Sequence, residues 1–157
     1  MLTQKQLKDI RKNPDIQNWA SISTVSGLTE EFIREFSNKV HWWYISINQK
    51  LSEGFIRENS DKVDWVCISS HQKLSEGFIR EFSDKVDWQQ ISAYQKFNER
   101  FIKEFLHKIN WGNISANQKL SEEFIREFPA LVNWELIKKH QQLSPEFIKE
   151  FKLDLIK

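Results

Sequence analysis

Cysteine is nearly missing from this chain. Cys67 is the only one in 157 residues, so no intrachain disulfide can form and nothing calls for an oxidising compartment. Four glycines and three prolines leave no room for a long flexible linker, and no low-complexity tail is present. No apolar run approaches the ~20 residues needed to span a bilayer, and the opening MLTQKQLKDIRKNPD lacks a signal-peptide core. A soluble, cytoplasmic protein without membrane contact is the expectation. The net charge of +1 gives bulk electrostatics no reason to favour nucleic acid as a partner. A glycine-rich phosphate loop, a nucleophile elbow and an HExxH helix are also missing. His41, His71, His107 and His140 are scattered and accompany no cysteine cluster, so zinc-type spacing is absent. No catalytic residue, cofactor or metal ligand is assigned, and the chain reads as non-enzymatic.

What is present is a repeat. Tryptophan recurs at Trp19, Trp42, Trp65, Trp88, Trp111 and Trp134, a step of 23 residues, and an isoleucine follows each of them three residues later. Periods of this length signal stacked supersecondary units, and 39% apolar residues suits a thin two-layer array better than a thick core. The reading is all-α: a solenoid of short helix-turn-helix repeats. Residues 1–18 form an N-terminal cap that loosely echoes the second half of a repeat, and residues 19–157 form six copies, the last also serving as C-terminal cap.

Each copy holds two helix starts. Asn18, His41, Asp64, Asp87, Asn110 and Asn133 precede the tryptophans, and all but His41 are strong N-caps, so each tryptophan begins a helix A. Ten residues past the tryptophans stand Thr29, Ser52, Ser75, Asn98, Ser121 and Ser144, which cap a helix B, with Pro145 fitting a first helical position. At 100° per residue the tryptophan, isoleucine, serine and glutamine of helix A share an inward face, whereas positions one, two, five and six after the tryptophan point outward. Helix B carries the apolar stripe of Phe32, Phe55, Phe78, Phe101, Phe124 and Phe147, continued by Phe36 and its equivalents, with Asn59 as the exception. Together with the six tryptophans these phenylalanines are the expected core. Helices of ~8–10 residues are marginal alone, so stacking must hold them. Pro129 falls where such a helix B would still be running and is expected to break it. Gly27, in the divergent first corner VSGL, is expected to supply a left-handed turn residue.

The unit WxxISxxQKLSExFIREFSDKVD resembles short helical repeats of bacteriophage and large DNA virus proteins, over most of Trp19 to Leu155. The resemblance implies a viral or phage source, a host-cell cytoplasmic setting and a protein-contact role. It carries over no catalytic residue, because the motif consists of packing and capping positions.

The recurring charges read as solvated ion pairs, within helix B from each glutamate (Glu35, Glu58, Glu81, Glu104) to the lysine four residues on, or between repeats. A phosphate-binding arginine stripe is the alternative. The inward glutamines Gln49, Gln72, Gln95, Gln118 and Gln141 need partners, and bonds to the neighbouring copy or to the corner before helix B would make them a ladder. The interaction surface expected from the sequence is the outward face of helix A, where Trp43, Tyr44, Ile47, Val66, Cys67 and Tyr94 are not needed for the stripe, with extra packing of Trp43 against its neighbour or incidental exposure as the alternative. A protein partner fits this uncharged face. Self-association through the ends is the alternative, and nucleic acid, which would want basic residues among the aromatics, comes last.

Overall fold

The computed structural model describes residues 2–153, which form thirteen α-helices and no β-strand. Helix α1 (Gln4–Lys12) is followed by six A/B pairs: α2 (Trp19–Thr24) and α3 (Glu30–Glu35), α4 (Trp42–Asn48) and α5 (Glu53–Glu58), α6 (Trp65–His71) and α7 (Glu76–Glu81), α8 (Trp88–Tyr94) and α9 (Glu99–Glu104), α10 (Trp111–Asn117) and α11 (Glu122–Glu127), α12 (Trp134–His140) and α13 (Pro145–Glu150). The fold is a helical-repeat solenoid with 23 residues per unit. The chain divides into two compact units, Met1–Lys85 and Val86–Lys157. In the first, α4 packs between α2 and α6; in the second, α10 packs between α8 and α12.

The helix starts fall where capping chemistry puts them. Asn18, Asp64, Asp87, Asn110 and Asn133 accept from the backbone N–H three residues on, and His41 makes no side-chain cap bond. All six helix B caps accept from the N–H of the first phenylalanine of the stripe. Gly27 has φ 81°, the left-handed value expected of it.

Helix B is shorter than the apolar spacing suggests, six residues in every copy. It stops at Phe36, Asn59, Phe82, Phe105, Phe128 or Phe151, each a C-cap outside the helical basin. A second, separate turn then brings Val40 N–H onto Phe36 O at 3.1 Å and Val63 N–H onto Asn59 O at 3.1 Å. That turn preserves a four-residue apolar step without a continuous helix. Pro129 therefore breaks nothing, because the helix has already ended at Glu127.

The six phenylalanines expected in the core are buried, and the tryptophans are half-buried. In every copy but the second the ring pair is completed by the phenylalanine at the C-cap: Trp19–Phe36 lies at 4.8 Å between centroids, Trp65–Phe82 at 5.0 Å and Trp134–Phe151 at 4.8 Å. The indole N–H donates to the carbonyl five residues earlier, at Pro14, Ser37, Ser60, Leu106 and Pro129. Only a carbonyl is needed there, which is why proline, serine and leucine all serve.

Copies are joined by four polar ladders. The buried serine of helix A donates to the tryptophan carbonyl one turn back and accepts the N–H of the next copy's cap residue, as in His41 N–H to Ser23 Oγ at 2.9 Å and Asn133 N–H to Ser115 Oγ at 2.9 Å. Gln72 Nε2 donates to Ser46 O at 2.9 Å and Gln49 O at 2.8 Å, and its Oε1 accepts Leu51 N–H at 3.0 Å. Gln49 and Gln141 repeat the pattern on Val25 O with Leu28 N–H, and on Ser115 O and Gln118 O with Leu120 N–H. The glutamine of one copy thus caps the C-terminus of the preceding helix A and ties down the following corner. Glu30, Glu53, Glu99 and Glu122 each accept the N–H of the next copy's helix B cap at 2.6 Å.

The fourth ladder corrects the intrahelical charge reading. Glu35, Glu58, Glu81, Glu127 and Glu150 meet Arg11, Arg34, Arg57, Lys103 and Arg126, each 24 residues earlier. Glu35, Glu58 and Glu81 pair there rather than with Lys39, Lys62 and Lys85 four residues on, because helix B ends at the glutamate and the chain turns away. Those lysines go backward instead: Lys62, Lys85 and Lys108 lie over the Trp42, Trp65 and Trp88 rings, and Lys39 pairs with Asp15.

The first segment joins the same ladders. Thr3 and Gln6 close a capping box on α1, Ile10 is buried, and Arg11 holds Glu35 as Arg34 holds Glu58. Helix α1 thus takes the place of a helix B in the charge ladder. At the other end Leu153 is buried, while residues 154–157, part of the expected C-terminal cap, lie outside the described residues.

Candidate interaction surface

The A and B faces differ in chemistry. Helices α2, α4, α6, α8 and α10 contain no aspartate, glutamate, lysine or arginine, and α12 is the first A helix to carry any, as Glu135, Lys138 and Lys139. Every B helix carries acids and bases, and most are engaged in the ladders above. The arginine column is accordingly no open anion site, since its members already hold carboxylates.

In the first unit the uncharged face concentrates its apolar area on α4 and α6. Trp43 and Val66, each one residue past the repeat tryptophan, are both 50% exposed. Tyr44 and Ile47 are half-buried at the seam where neighbouring A helices pack. Trp43 meets Tyr44 edge-on at 5.0 Å, and Tyr44 meets the His41 ring at 6.0 Å, so the two exposed-side aromatics brace each other. Asn48 donates to Tyr44 O and Ser70 to Val66 O, which keeps the polar rim of the patch occupied with its own helices.

The structure removes Cys67 from this surface. It is 6% exposed, because the second position after the tryptophan lies in the seam between A helices and a small side chain there is covered. Burial, with the nearby Asp64 carboxylate, pushes its thiol up to about 11. Such a thiol is neither a contact nor a nucleophile. The outward face is therefore narrower than the four positions expected over the two turns of the helix: positions one and six are open, and two and five sit in the seam. Tyr94, 63% exposed at position six of α8, belongs to the second unit and is a separate aromatic.

The second copy, which bears Trp43, also departs from the repeat on the inside. His41 leaves its helix without a side-chain cap, and Asn59 replaces the C-cap phenylalanine, so Trp42 stacks only on Phe55, at 6.1 Å. Asn59 is buried and spends its amide on Phe55 O at 3.0 Å. The sequence marked both departures as exceptions but not their coincidence with the aromatic patch. Two features went unmarked: Ile16, 81% exposed at the turn before α2, and a column of corner lysines. Among the described residues no group of three or more His, Cys, Asp or Glu is placed to hold a metal ion, and no helix is long and apolar enough to cross a membrane. Compared with protein-family models, curated proteins and solved structures, the chain matches none.

Proposed function

We propose that the protein is a non-enzymatic interaction module that engages another protein through the outward face of α4 and α6, with Trp43 and Val66 at the centre and Tyr44 and Ile47 beneath them. The observation that carries this reading is the second copy: it places surplus aromatics outside while giving up a helix cap and a core ring inside. Departures from local stabilisation gather where a surface serves something other than folding. An uncharged patch with a half-exposed tryptophan matches the anchor chemistry of interface centres. The reading takes with it the viral or phage origin and host cytoplasmic setting that the repeat's likeness implies.

End-to-end self-assembly has less support. In the sixth copy Lys138 stands at the ladder serine position and Pro145 at the ladder glutamate position, so two groups that hold a following copy are replaced. The test is capture from host lysate with wild type and a Trp43→Ser/Val66→Ser variant of unchanged melting temperature. A protein retained by the first and lost by the second supports the reading, and equal capture overturns it.

A further inference from the structure

In four or more copies the polar residue is the same at the serine, glutamine and glutamate ladder positions, at the helix B cap, at the arginine and glutamate of the charge ladder, and at the lysine after it. Each of these has an intramolecular task described above. One further recurring polar residue has none. It is the lysine that follows the ladder glutamine in the corner between helix A and helix B: Lys50, Lys73, Lys96 and Lys119. All four are exposed, and among the described residues Lys50, Lys73 and Lys119 make no hydrogen bond or ion pair, while Lys96 reaches only the Asn117 carbonyl.

In the second unit these corners enclose a shallow depression of about 550 Å³, with Lys96, Lys119, His140, Asn117 and Gln142 around it and the ladder glutamines Gln118 and Gln141 at its floor. Among the described residues no carboxylate lines it. The closest acids in sequence, Glu99 and Glu122, are turned onto the Ser121 and Ser144 N–H groups. The side chains of Lys119, His140 and Gln142 have no partner of their own.

We propose that the corner edge is a second docking surface, and that its occupant is an extended acidic polypeptide segment. Cationic groups left unneutralised, in a chain whose other recurring charges are matched, call for an anionic partner. Packed helices lie roughly 8–10 Å apart, so successive corners present one lysine per such step. An extended chain covers about 10 Å in three residues, which sets a carboxylate at every third position opposite each lysine. Among the described residues His140 is the one ring at the depression, and no phenylalanine, tyrosine or tryptophan lines it, so successive unpaired bases would find no run of stacking platforms. This surface is distinct from the α4/α6 face and does not depend on it.

The test is fluorescence anisotropy with a labelled Ser/Gly peptide carrying glutamate at every third position, at low and physiological salt. Wild type is expected to bind it in a salt-dependent manner, and Lys96→Gln/Lys119→Gln to weaken binding by about tenfold, two exposed charge pairs at most. Lys50→Gln/Lys73→Gln probes the same position in the first unit, and the Trp43→Ser/Val66→Ser variant is expected to bind as wild type does. Absence of binding at low salt, wild-type affinity in the Lys96→Gln/Lys119→Gln variant, or tighter binding of a single-stranded oligonucleotide of equal charge overturns the proposal. Loss of binding in the Trp43→Ser/Val66→Ser variant overturns the independence of the two surfaces.

Discussion

A buried glutamine amide must satisfy both of its ends, and Gln72 does so on three backbone groups at once. Gln72→Leu keeps the volume but strands Leu51 N–H and the Ser46 and Gln49 carbonyls, each unsatisfied group costing ~1–3 kcal/mol. Denaturant unfolding of this variant is expected to show a loss of at least ~2 kcal/mol, whereas Gln89→Leu, at the exposed first position after Trp88, stays near wild type. Asn59 works in the opposite direction. Asn59→Phe returns the ring that every other copy sets against its tryptophan, and such a pair is worth ~0.5–1.5 kcal/mol beyond area burial. A melting temperature above wild type confirms that the second copy is held below the stability its repeat allows. Cys67 supplies a kinetic readout of the same seam. With its thiol pushed up to about 11, it is expected to resist a disulfide reagent at pH 8 and to react fully once denaturant is added. Fast labelling of the native chain would put the thiol back on the surface.

The elements show which parts of the fold were legible in the residues. Helix starts were, because Asn, Asp, Ser and Thr have one strong local use ahead of an apolar periodicity, and all six tryptophans open a helix. Helix ends were not. Phe32, Phe36 and Val40 keep a four-residue apolar step, and a chain that leaves the helix at Phe36 and closes a new turn onto Val40 shows the same step as a continuous helix. The misplaced end then misplaced the charges, since Glu35 has no helical turn beyond it on which to find Lys39. The outward face was half legible. Periodicity separates the inward positions, but which outward positions fall in the seam depends on the neighbouring helix, and that buried Cys67 and half-buried Ile47. Helix α4 makes the capping rule testable by addition. His41→Asp provides the missing acceptor for its first turn, with an expected gain of ~1 kcal/mol in unfolding free energy. Exchanging one good cap for another at an already capped start, Asp64→Asn, is expected to be close to neutral.

The two sides of the repeat divide stability between different forces: an A side, uncharged as far as α10, held by buried serine and glutamine bonds, and a B side whose charges interlock from copy to copy. The second of these answers to pH. The Arg57 guanidinium holds Glu81 below the usual carboxylate range, and the Ser144 N–H does the same for Glu122. Arg11, Arg57 and Arg126, raised by their glutamates, remain charged throughout the accessible range. A carboxyl whose folded pKa lies below its unfolded one stabilises the folded chain fully above the unfolded value, and that contribution disappears as pH falls through the folded value. The melting temperature is therefore expected to be level from pH 7 to about pH 5 and to fall below about pH 4. A Glu81→Gln/Glu122→Gln variant isolates the cause. It is expected to melt below wild type at pH 7 and to converge on it near pH 3, where wild type has lost the same charges. Because these pairs are solvent-exposed, added salt is expected to narrow the difference at pH 7 as well. A gap that stays constant across pH and salt would assign the glutamates a packing role, and the glutamine and serine bonds of the A side would then be the principal polar tie between copies.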